Sequence, residues 1–129
     1  MTRETLQPDS ILDPRPRYSQ AVIASGGRLV FIAGQVAVDR TGATVGRGDI
    51  ERQTRQVFDN LRAVLTAAGA TFDNLVMTTT YLTDASLRSA FSAVRAEYFT
   101  GETPTSTLVI VKALAHEDYL VEVTGVAVI

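Results

Sequence analysis

The segment from Tyr119 to Ile129 sets the strongest constraint on this chain: it is apolar and β-branched almost throughout, and Glu122 is its only side chain charged at neutral pH. Such a run reads as a buried strand. A carboxylate on a buried strand is costly to desolvate unless it is paired or lines a cavity. Strand side chains alternate, so Tyr119, Val121, Val123 and Gly125 point one way and Leu120, Glu122, Thr124 and Val126 the other. Two readings of Glu122 stay open at this level, a solvated sheet face and a functional site.

The other elements follow from periodicity and punctuation. Residues 1–17, with Pro8, Pro14 and Pro16, read as an irregular, proline-punctuated lead-in. The runs Tyr18–Ser25 and Leu29–Ala33 flank Gly26, Gly27 and Arg28, which predicts a hairpin. A polar loop from Asp39 to Asp49 precedes a helix capped by Gly48 or Asp49. That helix has Ile50, Val57, Phe58, Leu61, Leu65 and Ala68 on one face and Gly69 as its stop. Leu75–Leu82 is β-branched and reads as a strand. Thr83 or Asp84 then caps a second helix carrying Leu87, Phe91, Val94 and Tyr98 at spacings of three and four. Two closing strands, Thr107–Val111 and Tyr119–Val128, complete the order ββαβαββ.

With 129 residues and no internal repeat, the chain forms one domain of α+β class, a mixed sheet with two helices packed on one face. Strand runs apolar at nearly every position, such as Leu29–Ile32 and Leu108–Val111, predict burial on both faces and hence a homo-oligomer joined through the open sheet faces.

Composition narrows the chemistry. The absence of cysteine removes disulfides, thiolate metal sites and cysteine nucleophiles. The first residues lack the apolar stretch of a secretory signal, which makes a cytoplasmic protein the expectation, and no window reaches the roughly 18 apolar residues of a membrane span. A net charge of −2, with eleven arginines spread among acids and read as surface groups, argues against nucleic acid. Gly42, Gly46 and Gly48 form no phosphate-loop pattern. His116, the sole histidine, falls in a loop with no second ligand for zinc and no serine to activate, which leaves Ser92 and Ser106 as polar fillers rather than nucleophiles. One carboxylate, several tyrosines and scattered arginines suit acid and base chemistry on a small polar molecule with water as the nucleophile.

Ordered motifs over almost the whole chain carry a resemblance. They include Tyr18-Ser19-Gln20-Ala21, Val30-Phe31-Ile32-Ala33-Gly34-Gln35, Gln53 to Leu61, Ala67-Ala68-Gly69-Ala70, Thr78 to Asp84, Glu97-Tyr98-Phe99 and Val121-Glu122-Val123. The chain resembles the reactive-intermediate deaminase (Rid) family, also known as YjgF or L-PSP endoribonuclease-like proteins. The resemblance implies a chorismate-mutase-like fold and a homotrimer forming a central barrel. It also implies ligand clefts between subunits that hydrolyse imines or enamines without a cofactor. Tyr18 and Glu122 take the catalytic positions, Glu122 as the residue that positions or activates water. Ala33, Gly34, Ser92, Pro104 and Ser106 take substrate-binding positions.

The departures bear on substrate. Where the family's deaminase branch has an arginine in Pro-Ala-Arg-Ser, this chain reads Pro104-Thr105-Ser106-Thr107, and a neutral hydroxyl cannot reproduce a bidentate charged fork. Ala33 replaces a serine and Ser92 an asparagine. Arg15 and Arg17, just before Tyr18, are the first candidates to replace the missing arginine, with Arg95 after them. Three functions remain: hydrolysis of a carbon–nitrogen bond with 2-imino acids as poor substrates, a non-catalytic metabolite-binding or regulatory module, and, with least support, an endoribonuclease or translation inhibitor.

Overall fold

The computed structural model describes residues 2–129. The strands are β1 (Thr2–Leu6), β2 (Ala21–Ser25), β3 (Leu29–Gln35), β4 (Leu75–Leu82), β5 (Thr105–Ile110) and β6 (Val121–Val128). The helices are α1 (Ile50–Ala67) and α2 (Arg88–Tyr98). Four strands form a mixed sheet in the order β3-β6-β4-β5, with β4 and β5 parallel and the other pairs antiparallel. The C-terminal strand is therefore central.

Both helices lie against one face of this sheet. Asp49 accepts a hydrogen bond from the Arg52 backbone N–H and opens α1, and Gly69, at φ 75°, takes the left-handed conformation just beyond it. Val57, Phe58, Leu61 and Leu65 bury their side chains with Val121, Val123 and Ala127 of β6, so the period of 3.6 meets the period of 2 across one core. Phe58 binds the two helices together. Its ring centroid lies 5.1 Å from Tyr98, 5.9 Å from Phe91 and 5.8 Å from Phe99. Asp84 caps a short 3₁₀ turn, and α2 begins only at Arg88.

Two expectations need correction. The lead-in is not irregular throughout, because Thr2–Leu6 pairs antiparallel with Ala21–Ser25. Arg3 anchors it: its buried guanidinium donates to the carbonyls of Asp73, Leu75 and Glu102 at 2.9 to 3.2 Å, a long-range clasp invisible in local sequence. The hairpin does not form as a pair. β2 joins β1 and β3 joins β6, while the Arg28 backbone exchanges both its hydrogen bonds with Ile129 at 2.7 and 2.9 Å. Within one chain the apolar strand runs are covered on one face only: Phe31 is 75% exposed and Leu29 61%, because the helices cover one sheet face and β3 lies at the sheet edge.

Gln53, fully buried on α1, fixes the approach to β6. Its amide donates to the carbonyls of Gly46 and Asp118 at 3.2 and 2.8 Å and accepts from the Leu120 N–H at 2.9 Å. One side chain thus holds two loops, the second ending just before Glu122. Gln53→Ala leaves buried backbone groups unpaired, and its expected cost is about 2–3 kcal/mol. A urea midpoint lowered at unchanged slope and fixed protein concentration checks this.

Candidate functional site

The pairing register sorts the predicted site residues onto two sides of the sheet. Thr78 of β4 stands opposite Ser106 on one side and Gly125 on the other, whereas Tyr81 stands opposite Glu122. Thr78 and Tyr81 are three residues apart on one strand and point to opposite faces. Ser106 therefore lies on the helix-covered side and Glu122 on the open one.

On the helix side, α2, β5 and the Pro16–Tyr18 segment enclose a cleft of about 620 Å³. It contains Arg17, Tyr18, Ser92 and Ser106, four of the eight predicted site residues. Phe91, Phe99, Leu108 and Ile110 make its apolar walls. Tyr18 is held there by its neighbour: the Ser19 N–H donates to the Pro104 carbonyl at 3.1 Å, and the Ser19 hydroxyl donates to the Thr103 carbonyl at 2.6 Å. Pro104 is buried behind the cleft as a positioning residue rather than a lining one.

The cleft has a charge pattern that the sequence reading underrated. Arg17, Arg88 and Arg95 line it, and no acidic side chain among the described residues does. Arg15, an early candidate, is engaged elsewhere. Its guanidinium meets Asp13 at 2.9 and 2.6 Å, and those hydrogen bonds hold the Asp13 carboxyl down at about 2. Arg95, ranked after it, lies in the cleft. Its Nη1 donates to the Arg17 carbonyl at 2.7 Å, its guanidinium carbon sits 4.3 Å from the Phe99 ring centroid, and its Nη2 is buried without a hydrogen-bond partner. Burial pulls Arg95 down to about 10, which still leaves it charged at neutral pH. Reading every arginine as a surface group is thus wrong for Arg3 and Arg95. The missed signal was spacing: Arg88, Ser92, Arg95 and Phe99 recur at four, three and four residues, a second stripe beside the core stripe of α2.

On the open face, Glu122 lies against the irregular end of β3, where the register with β6 shifts between Ile32 and Gln35. Ala33 and Gly34 occupy that bulge and are exposed. A Cβ on Gly34 would collide with the Glu122 carboxylate, its nearest carbon neighbour being Glu122 Cδ at 2.8 Å. Gly34 is a glycine because the carboxylate occupies the space of a side chain. Thr124, next on this face, donates its hydroxyl to the Ile32 carbonyl at 2.7 Å and fixes the bulge. No basic side chain among the described residues makes an ion pair with Glu122.

His116 falls in the loop before β6, as expected, half-exposed and with its Nδ1 accepting from the Asp118 N–H at 3.1 Å. Among the described residues there is no cluster of metal-ligating side chains, and no helix is long and apolar enough to cross a membrane.

A helix-backed mixed sheet, with a cationic cleft on one side and an unpaired carboxylate beside a glycine bulge on the other, defines an α+β protein whose candidate site residues are divided between the two sheet faces. The family model described as Endoribonuclease L-PSP matches residues 9–129. A RutC family protein of Pyrococcus horikoshii is 36% identical over 97% of both chains. The crystal structure of YyfB from Yersinia pestis, described as a protein of unknown function of the conserved Rid family, superposes with a TM-score of 0.92 at 34% identity over the full length of both chains. RidA from an Antarctic Psychrobacter superposes at 0.73 with 30% identity, over 98% of this chain and 99% of its own. The chain belongs to the Rid family, the YjgF or L-PSP group.

Gly34→Ala provides a test of the carboxylate's setting. The colliding partner is the end of a flexible side chain, so Glu122 swings away and the fold survives, at a cost of about 1 kcal/mol or less. Thermal unfolding and a crystal structure of the variant check this; an unmoved Glu122 contradicts it.

Proposed function

We propose that the chain works as a homotrimer whose open sheet faces form a central barrel, with a small metabolite bound in each cleft between subunits. Tyr18, Ser92, Ser106 and Arg17 of one copy would face Ala33, Gly34 and Glu122 of the next. The observation that carries this reading is the division of the site: one chain holds its cleft and its carboxylate on opposite sheet faces, so they can share a ligand only through a second copy. The apolar open face, with Phe31, Leu29 and Met77 exposed, gives copies a reason to associate.

The chemistry that suits the site is hydrolysis of an imine, enamine or related carbon–nitrogen bond. Glu122 takes a proton from water as it attacks the electrophilic carbon, the Tyr18 hydroxyl exchanges a proton with the nitrogen, and the tetrahedral adduct collapses to a carbonyl as the C–N bond breaks and ammonia or an amine leaves. No cofactor enters this scheme. Because Ser106 stands where the deaminase branch carries its arginine, short 2-imino acids lose their charged anchor, which is worth about tenfold or more in kcat/KM.

The expected results are a trimer by sedimentation at micromolar concentration and slow release of keto acid from 2-iminopropionate generated in situ. Glu122→Gln abolishes turnover of a true substrate while leaving the trimer intact. A stable monomer, or 2-iminopropionate turnover equal to that of arginine-bearing relatives, contradicts the proposal. A second reading, a metabolite-binding module without catalysis, is favoured by the same Ser106; it holds if Glu122→Gln leaves ligand binding unchanged and no turnover is found.

A further inference from the structure

Among the described residues, Arg95 is the one cationic group of the cleft that is half-buried and incompletely satisfied. Its Nη1 is engaged by the Arg17 carbonyl, while Nη2 is withdrawn from water with no acceptor. A guanidinium that keeps its charge, stacks on Phe99 and meets no carboxylate carries a desolvation cost that an oxyanion in the cleft would offset. Arg17 and Arg88, exposed at the rim, add to the positive potential without reaching the same depth. Among the described residues no acid lines the cleft to compete.

The walls restrict which oxyanion. Beside Arg95 the cleft is bounded by Phe91, Phe99, Leu108 and Ile110, and its volume of about 620 Å³ far exceeds that of a three-carbon acid. A strongly hydrated, wholly polar anion such as inorganic phosphate would leave that apolar surface uncovered. A carboxylate with an apolar body would cover it.

We propose that Arg95, on α2, is a specificity-determining residue that binds the carboxylate of an organic acid with an apolar body of several carbons. The charged anchor thus lies on the helix wall of the cleft rather than at residue 106 on β5. This deepens the proposed small-molecule site, since it uses the same cleft, but it does not depend on Glu122 or on turnover. It also accounts for the expected weakness of short 2-imino acids: an anchor on the other wall holds their reacting carbon in a different place.

Calorimetric titration of the full chain tests this with four probes: hexanoate, its neutral analogue hexanamide, pyruvate and inorganic phosphate. Hexanoate is expected to bind at least about tenfold more tightly than hexanamide, the worth of one charge-assisted contact, and more tightly than pyruvate or phosphate. Arg95→Met removes the preference for hexanoate over hexanamide. Arg95→Lys, which keeps charge without the planar fork, retains part of it. Thermal unfolding of both variants verifies that they are folded, and hexanamide binding reports whether the apolar walls persist.

Equal affinity of the wild-type chain for hexanoate and hexanamide overturns the inference. So does a preference unchanged in Arg95→Met, or phosphate bound more tightly than hexanoate. Glu122→Gln separates this inference from the reading it rests on. Hexanoate binding that depends on Arg95 and not on Glu122 supports the inference even where no turnover exists. Turnover lost in Glu122→Gln but indifferent to Arg95→Met overturns the inference and leaves the hydrolytic site standing.

Discussion

Two helices can cover only one face of a four-stranded sheet, and the rest of the molecule follows from that. Strand alternation sends Val121, Val123 and Ala127 into the core under α1 and leaves Glu122 and Thr124 on the side without helices. The aromatic cluster around Phe58 then locks α2 beside α1, and the far wall of α2 becomes the wall of the cleft. Core and cleft share Phe91 and Phe99. A change that loosens the core there would also reshape the cleft.

Two half-buried charges lack an opposite among the described residues. Glu122 is half-buried against a glycine bulge, and Arg95 is desolvated beside an aromatic ring, yet each lacks an ionic partner among the described residues. They stand on opposite sides of the sheet, so they cannot neutralise one another within a chain. In the proposed trimer, a ligand bound between copies would bring both into use, an anion at Arg95 and a hydrolytic water or polar group at Glu122. Unpaired charge of this kind is characteristic of a site rather than of a structural ion pair.

Much of the fold was legible because its signals are local. The apolar offsets of α1, the Asp49 cap and the Gly69 stop lie within one helix length, and the β-branched runs announce β4, β5 and β6. What failed was non-local. The Gly26-Gly27 turn suggested a pair between its flanking runs, but pairing went to β1 and β6, whose competing edges no short window reveals. The buried Arg3 clasp likewise spans most of the chain. Arginines close to Tyr18 in sequence ranked above Arg95, although the stripe of Arg88, Ser92, Arg95 and Phe99 was present to be read.

The sequence by itself determined that a carboxylate sits on an apolar strand, that two amphipathic helices must shield that strand, and that the arginine of the deaminase branch is a serine here. Periodicity and residue chemistry suffice for those. Only the tertiary structure decided that Ser106 and Glu122 face opposite ways, that Gly34 is the space into which Glu122 fits, and that, among the described residues lining the cleft, Arg95 is the arginine drawn out of water with no acid beside it. Those depend on strand order and register, which are set by contacts between residues far apart in the chain, and no local pattern encodes them.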